Sequence, residues 1–451
     1  MKSEIEMKSS VTEKESRLWN AMHRFNPDEK GMVAVSGEGS WFKDENGKEY
    51  LDGVSGLWCL NLGYGRQEIV DAAAEQMKKL SYFPLTMNHQ PAIRLAEKIS
   101  DLLEAEYQTF FSNSGSEANE TAFKIARQYH IQTGNPGKYK FISRYRAYHG
   151  STMGAMSATA QAIRRVKYDP SAPGFLHVAP PYSYRSLYSG NQEEKDLRAA
   201  DELEEMIKWE GEETIAAFIM EPFISGGGVI IPSMKYIQRV AEICREKNVL
   251  LIMDEVVSGF GRTGKMFGFM HTSNVQPDIV TMAKGLTSGY LPLGATAVKA
   301  EIYEAFKKEG KDNHLRHVST YGGHPAACAV GLKNIEIIEK ENIVGRVDAL
   351  GQSKLKILHD LKNHANVGEV RQIGFLLGLE MVENKETKVP LSDAKMNEII
   401  SSCKQKGLII GKNGDTVPGG NNILIIAPPL TSTEEDLDFI NETVSSVIHH
   451  M

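Results

Sequence analysis

The sequence predicts an α/β protein: an open, mostly parallel sheet with helices on both faces, joined to a smaller α+β lobe. Three observations carry that expectation. From Tyr139 to about Met282, strand-length apolar runs alternate with helix-length amphipathic stretches, the order of a sheet built with crossover helices. Residues 249–253, Val-Leu-Leu-Ile-Met, are apolar throughout and read as a buried strand. After Gly323 the alternation gives way to long helices around short strands.

In chain order, residues 1 to about 30 read as an arm, with a short helix over residues 16–22 and Pro27 ending regular structure. Residues 33–52 read as a small antiparallel sheet, its hairpin marked by Asn46-Gly47. Residues 53–65 form a glycine-rich loop in which Trp58 either anchors packing or walls a pocket. Amphipathic helices follow over residues 67–80 and 91–103. Residues 107–111 are a strand, and Ser112-Asn113-Ser114-Gly115-Ser116-Glu117 leads into a helix to about His130. Ser114 and Glu117 have capping-box spacing, while free amides at Gly115 and Ser116 suit a phosphate at a helix N-terminus.

Strands over residues 140–143 and Ile215–Met220 run into Tyr148-His149-Gly150 and Glu221-Pro222. A helix over residues 233–247 precedes the 249–253 strand, which ends in Asp254-Glu255. Residues 278–283 form a further strand ending at Lys284-Gly285. Beyond Gly323, helices over about 326–340 and on to 361, and near 392–405 and 433–449, flank strands at 368–380, 408–410 and 423–426. The amino-terminal hairpin is expected to pack with this lobe. The division is residues 1–80 (arm and part of the small domain), 81–325 (large domain) and 326–451 (carboxyl-terminal small domain).

Composition narrows the function. The net charge of −7 and the lack of a long basic block argue against nucleic acid and membrane surfaces. No apolar run approaches the roughly 20 residues that span a bilayer, and residues 1–17 lack the apolar core of a signal peptide. The four cysteines have no CxxC spacing, which favours a reducing cytoplasm over a disulfide framework or zinc site. Gly259-Phe260-Gly261-Arg262-Thr263-Gly264 matches GxGxxG. However, it neither follows its strand directly nor opens a helix, as a dinucleotide fingerprint should.

What remains is a carboxylate, Asp254, and an amine, Lys284, at the carboxyl ends of two strands, the edge that lines the ligand crevice of an open parallel sheet. Pyridoxal phosphate requires such a pair: a carboxylate to keep its ring nitrogen protonated and a lysine to join its aldehyde.

Seven motifs occur in order: Ser114-Gly115-Ser116-Glu117-Ala118-Asn119-Glu120, Tyr148-His149-Gly150, Glu221-Pro222, Asp254-Glu255-Val256, Gly261-Arg262-Thr263-Gly264, Lys284-Gly285 and Thr320-Tyr321-Gly322-Gly323-His324-Pro325. Over nearly its whole length the chain resembles the class III (omega) aminotransferases of pyridoxal-phosphate fold type I. The resemblance implies a large lobe with a mostly parallel, seven-stranded-type sheet and a smaller α+β lobe drawn from both termini. It implies that Lys284 joins the cofactor and then shuttles a proton, and that Asp254 pairs with the ring nitrogen. Tyr148, with His149 beside it, and Val256 would bound the ring, with Glu221 near its hydroxyl side. Ser114, Gly115 and Ser116 would hold the phosphate, and Thr320 would reach the phosphate of a neighbouring subunit's cofactor. The cofactor would pass through its pyridoxamine form as a small-molecule amine donor and a keto-acid acceptor react in turn. The assembly would be a homodimer or a dimer of dimers.

Within that family, Gly56-Leu57-Trp58-Cys59-Leu60-Asn61-Leu62-Gly63 and the stretch Arg144 to Gly150 are similar to the omega-amino acid and taurine:pyruvate branch. The diaminopelargonate enzymes tend to carry a Trp-Trp pair where this chain has Trp58 alone. An aminomutase or racemase on the same fold stays open. Many omega-aminotransferases carry a carboxylate-binding arginine before the segment that is Ala427-Pro428-Pro429-Leu430 here, but residues 414–426 contain none. Arg164 or Arg165 is the candidate replacement, since a guanidinium suits carboxylate and sulfonate oxygens; both could equally be surface residues. Phe25, Trp58, Tyr82, Phe83 and Tyr148 are candidate pocket walls.

Overall fold

The computed structural model describes residues 18–22, 31–310, 312–413 and 416–451. Most of the expected arm, with Pro27 and the pocket candidate Phe25, lies outside the described residues.

The central sheet has seven strands in the order Tyr107–Ser112, Gly294–Lys299, Ile279–Met282, Leu250–Asp254, Ile215–Met220, Lys140–Arg144 and Phe175–Val178. The last five are mutually parallel, whereas Gly294–Lys299 is antiparallel to both neighbours. The chain between Met282 and Gly294 holds only the 3-10 turn Lys284–Leu286, too little for the crossover a parallel pair needs.

Successive side chains of the Leu250–Asp254 strand point to opposite faces. Leu250 and Ile252 join the core under helix Gly115–Gln132, with Ala122, Phe123 and Ala126. Leu251 and Met253 join the core under helices Gln192–Glu210 and Met234–Glu246, with Leu203, Ile207, Val240 and Ile243. That two-sided burial is why the strand is apolar throughout.

Two strands of the central sheet and the long helix Gln192–Glu210 are among the elements that escape the sequence reading. Gly294-Ala295-Thr296-Ala297-Val298 is poor in bulky β-formers. Its residues are small because helix Gly115–Gln132 lies on them, with Thr296 Oγ1 donating to the carbonyl of Ala118 at 2.8 Å. Phe175–Val178 is a short strand at the sheet's edge. Helix Gln192–Glu210 does carry a readable signal, the reciprocal capping box of Asn191 and Glu194.

Two four-stranded sheets adjoin this core. Ala34–Glu38, Trp41–Asp44 and Glu49–Asp52 form a meander whose turn places Gly47 at φ +79°, and Leu408–Ile409 pairs in parallel with its third strand. The amino-terminal hairpin and a carboxyl-terminal strand thus share one sheet. Val367–Ile373, Leu376–Met381, Ile423–Ile426 and Gly411–Lys412 make the other, antiparallel throughout.

The GxGxxG stretch serves as a tie between these layers. Arg262 is fully buried. Its Nη1 donates to the carbonyls of Phe375 at 3.2 Å and Pro428 at 2.5 Å, and its Nη2 to Ser55 Oγ and Asn61 Oδ1, both at 3.1 Å. Burial pushes the guanidinium down to about 9, yet it stays charged at neutral pH. Arg262→Met would leave four buried acceptors without their donor. It should lower unfolding stability by about 3–5 kcal/mol, with Arg262→Lys intermediate. Denaturant unfolding checks this, and a loss below about 1 kcal/mol would contradict the tie.

Candidate active site

A cavity of about 360 Å³ opens where the parallel strands end. Asp254 closes its strand in register with Thr281 of the neighbouring one, and Lys284 follows two residues past Met282. Both side chains line the cavity. Lys284 sits at φ +42°, a left-handed conformation that costs a side-chain-bearing residue energy and recurs at functional sites. Trp58, which also lines the cavity, has positive φ as well, and Lys284 Nζ stands 5.6 Å from the centre of its ring.

Asp254 is almost fully buried and held by three donors. Its Oδ2 accepts from Asn119 Nδ2 at 2.9 Å and from His149 Nδ1 at 2.8 Å, and its Oδ1 accepts from the amide of Val256 at 3.1 Å. The orientation of Asn119 is fixed by Thr281, whose hydroxyl donates to Asn119 Oδ1 at 2.8 Å. The Asn119 amide group is therefore turned to donate both to Asp254 and to the carbonyl of His149, at 2.7 Å. With His149 donating from Nδ1, its buried Nε2 has no partner.

Glu221, also buried, accepts from the amides of Tyr148 at 3.2 Å and Ser225 at 2.9 Å. Burial, together with the Asp254 charge, raises its pKa above the ordinary carboxylate range. Lys284 is displaced the other way. Burial lowers its pKa below the ordinary lysine value, against the smaller opposing pull of Asp254, Cys59 and Glu221. Its Nζ forms no hydrogen bond with any described residue. The amine is thus biased toward its neutral, nucleophilic form.

At another part of the cavity wall lie Ser114, Gly115 and Ser116. Ser114 caps helix Gly115–Gln132, its Oγ accepting from the Glu117 amide at 3.2 Å. The reciprocal half of the box does not form: Glu117 reaches one residue further back and accepts from the Asn113 amide at 2.6 Å. A Cβ on Gly115 would meet Val256 at 2.9 Å, so only glycine fits between the helix start and that wall. The first amides of the helix have no intrahelical acceptor, which makes this end an anion seat.

The structure therefore gathers Trp58, Ser114, Gly115, Ser116, Tyr148, His149, Glu221, Asp254, Val256 and Lys284 around one cavity. Other candidates lie off its wall. Thr320 is exposed, its carbonyl accepting from Tyr82 Oη at 2.9 Å, and Phe83 follows Tyr82 in the chain. Arg164 places its guanidinium 5.4 Å over the ring of Tyr148, with Nη1 donating to Met22 Sδ at 3.0 Å and Nε buried without a partner among the described residues. Arg165 turns away to donate to His177 Nε2 at 3.0 Å. Asn119 and Gly226 are residues the sequence reading gave no role. Asn119 was legible as a lone amide on the buried face formed by Ala118, Thr121 and Ala122, whereas the Gly226 contact with Trp58 is purely tertiary.

Comparison with known proteins adds an independent line. The family model described as aminotransferase class-III matches residues 25–448. The chain is 53% identical over 442 residues to an uncharacterised aminotransferase of Bacillus subtilis (strain 168), covering 98% of this chain and 97% of that protein. It is 42% identical over 412 residues to the taurine–pyruvate aminotransferase of Bilophila wadsworthia, covering 90% of each. A crystal structure of a Bacillus anthracis aminotransferase superimposes with a TM-score of 0.92 at 51% identity, covering 96% of both chains.

Asn119→Ala removes one of three donors to Asp254 and should weaken retention of pyridoxal phosphate roughly tenfold or more. Titration of the cofactor-free protein, followed by visible absorbance, measures this. Wild-type retention would show that the carboxylate does not depend on this network.

Proposed function

The chain belongs to the class III aminotransferases, and from that premise we propose that it moves an amino group from an omega-amine or omega-amino acid, with taurine or β-alanine as the donor class, to pyruvate, giving alanine. The family's cofactor is pyridoxal 5′-phosphate. The observation that carries the reading is the meeting of Lys284 and Asp254 in one cavity that also holds a helix N-terminus.

The residues suit that cofactor. The amine, the carboxylate and the anion seat line one cavity, and the seat contains a glycine packed so closely that an added Cβ would press on Val256. When bound, the cofactor supplies an aldehyde that accepts the donor's nitrogen and a ring that accepts the electron pair left by the donor's proton. Asp254 would hold the proton at the ring nitrogen, and Asn119 and His149 hold Asp254. Lys284, whose ammonium form burial disfavours, would take the proton from the donor carbon at Nζ and return it within the same half-reaction. Tyr148 and Val256 would bound the ring, and Ser114, Gly115 and Ser116 would bind the phosphate, since all five line the cavity. Glu221 keeps the hydroxyl side of the ring polar. The two substrates use the one site in turn, which gives ping-pong kinetics.

The taurine–pyruvate relative supports a donor with an anionic far end. Of the two arginine candidates, Arg164 is the better placed, since it lies over pocket-lining Tyr148 while Arg165 is engaged by His177. The protein acts as a homodimer in the cytoplasm. Three exposed apolar side chains around Thr320, namely Tyr82, Val318 and Tyr321, support a partner subunit there, whose cofactor phosphate Thr320 would reach. Among the described residues no helix is long and apolar enough to cross a membrane.

Pyruvate with a panel of amines should yield alanine, and Lys284→Ala should cut the rate roughly a thousandfold or more. Absence of alanine with every donor would overturn the reading. Arg164→Ala should raise the KM for pyruvate and for taurine roughly tenfold and Arg165→Ala should not; unchanged constants for Arg164→Ala would move the anion site elsewhere. The uptake of pyridoxal phosphate by the cofactor-free protein should rise with pH, with a midpoint below that of free lysine. Glu221→Gln removes a negative charge that favours the ammonium form, so the midpoint should move to still lower pH. A shift upward, followed by stopped-flow absorbance, would contradict the assigned electrostatics.

A further inference from the structure

The loop after Glu221 borders the cavity, and it is held from outside the site. Ile224 and Ile230 pair across its base, and Gly226 at its tip lines the cavity. A Cβ added to Gly226 would lie 3.4 Å from the Trp58 ring, so the loop's position sets the gap between these two walls. The loop is not relaxed by itself: Gly228 has φ +124° and Val229, a β-branched residue, has φ +50°, a conformation that persists only when its surroundings enforce it.

Two arginines supply the enforcement. Arg371, on strand Val367–Ile373, donates from Nη2 to the Gly228 carbonyl at 2.8 Å and from Nε to the Val229 carbonyl at 2.9 Å. Arg146 donates from Nη1 to the Gly227 carbonyl at 3.1 Å. The two guanidinium groups flank the Tyr182 ring at 5.0 and 4.9 Å. Arg371 is fixed in turn by Glu380, whose Oε2 accepts from Arg371 Nη1 at 2.8 Å and from the Tyr182 hydroxyl, while its Oε1 accepts from Arg185 Nε at 2.5 Å. Glu380 is completely buried. A buried guanidinium forked onto two carbonyls is a geometric constraint that an ammonium cannot copy.

We propose that Arg371, anchored by Glu380, is a positioning residue for the substrate pocket: its grip on the Gly228 and Val229 carbonyls fixes Gly226 opposite Trp58 and so sets the pocket's width from the carboxyl-terminal sheet. The proposal rests on the aminotransferase reading in that the amine donor occupies this pocket, but the grip on the loop does not depend on which donor it is.

The test is Arg371→Lys in the holoenzyme, which keeps the charge opposite Glu380 and loses the fork. KM for a small donor such as β-alanine should rise roughly tenfold, with kcat within about twofold and cofactor absorbance unchanged. In parallel, the Trp58 share of the fluorescence, obtained by difference against Trp58→Phe, should become more accessible to acrylamide. A lower melting temperature with KM and quenching both unchanged would overturn the proposal and leave Arg371 a purely structural tie. Should Arg371→Lys fail to fold, Arg146→Lys, which releases only the Gly227 carbonyl, should show the same pattern in weaker form, and its absence would count equally against the proposal. Failure of the wild type to form alanine would sink the functional reading instead, and the quenching result would still decide the loop's positioning.

Discussion

The structure depends on a carboxylate and an amine held at the ends of two neighbouring parallel strands in a place where water is scarce. Asp254 ends a strand of the sheet and Lys284 opens the short turn just past the neighbouring strand, so the pairing of those strands brings the two segments together. Burial acts on them unequally. Asp254 has three N–H donors turned toward it, whereas Lys284 Nζ has no hydrogen-bond partner among the described residues and its ammonium form is disfavoured. The same desolvation that weakens the lysine's charge strengthens every hydrogen bond to the carboxylate.

Around that pair, buried arginines hold main-chain carbonyls. Arg144 donates to the carbonyl of Glu221, Arg262 to those of Phe375 and Pro428, and Arg371 to those of Gly228 and Val229. Each lies in a segment distant in sequence from the carbonyl it holds. A loop that lines a cavity has few strand partners of its own, and a carbonyl left unpaired in the interior is costly. A guanidinium with five donors satisfies several such carbonyls at once and fixes their relative placement. This explains why the pocket's wall is held by charged residues in what is otherwise an apolar interior.

Much of this was legible in the chain itself. The apolar runs that end in Glu221, Asp254 and Lys284 are strands because they are buried on both faces, and a strand buried on both faces declares itself by composition. The helix start at Ser114 was readable from its cap. The strand Gly294–Lys299 was not, since its small residues are chosen by the helix lying on it and carry no periodic signal. Nor could the sequence show that Glu117 would abandon the capping box for Asn113, or that the GxGxxG stretch is a structural tie, because both outcomes depend on partners brought in by tertiary folding. Arg164 and Arg165 are adjacent in sequence, and only the fold separates them, one over Tyr148 and the other on His177.

The loop Gly226–Val229 shows where local rules give way to the demands of the site. Left to itself, a β-branched residue at positive φ would relax toward the extended region, and a run of three glycines would sample many conformations. Three carbonyls held by two guanidinium groups remove that freedom. Gly226 must carry no side chain if the gap to Trp58 is to stay open, and a residue without a side chain cannot anchor itself. The constraint therefore comes from the main chain on one side and from a buried ion network on the other. A pocket wall with no side chain of its own is thus held through its carbonyls, in part by a residue of a sheet remote in sequence.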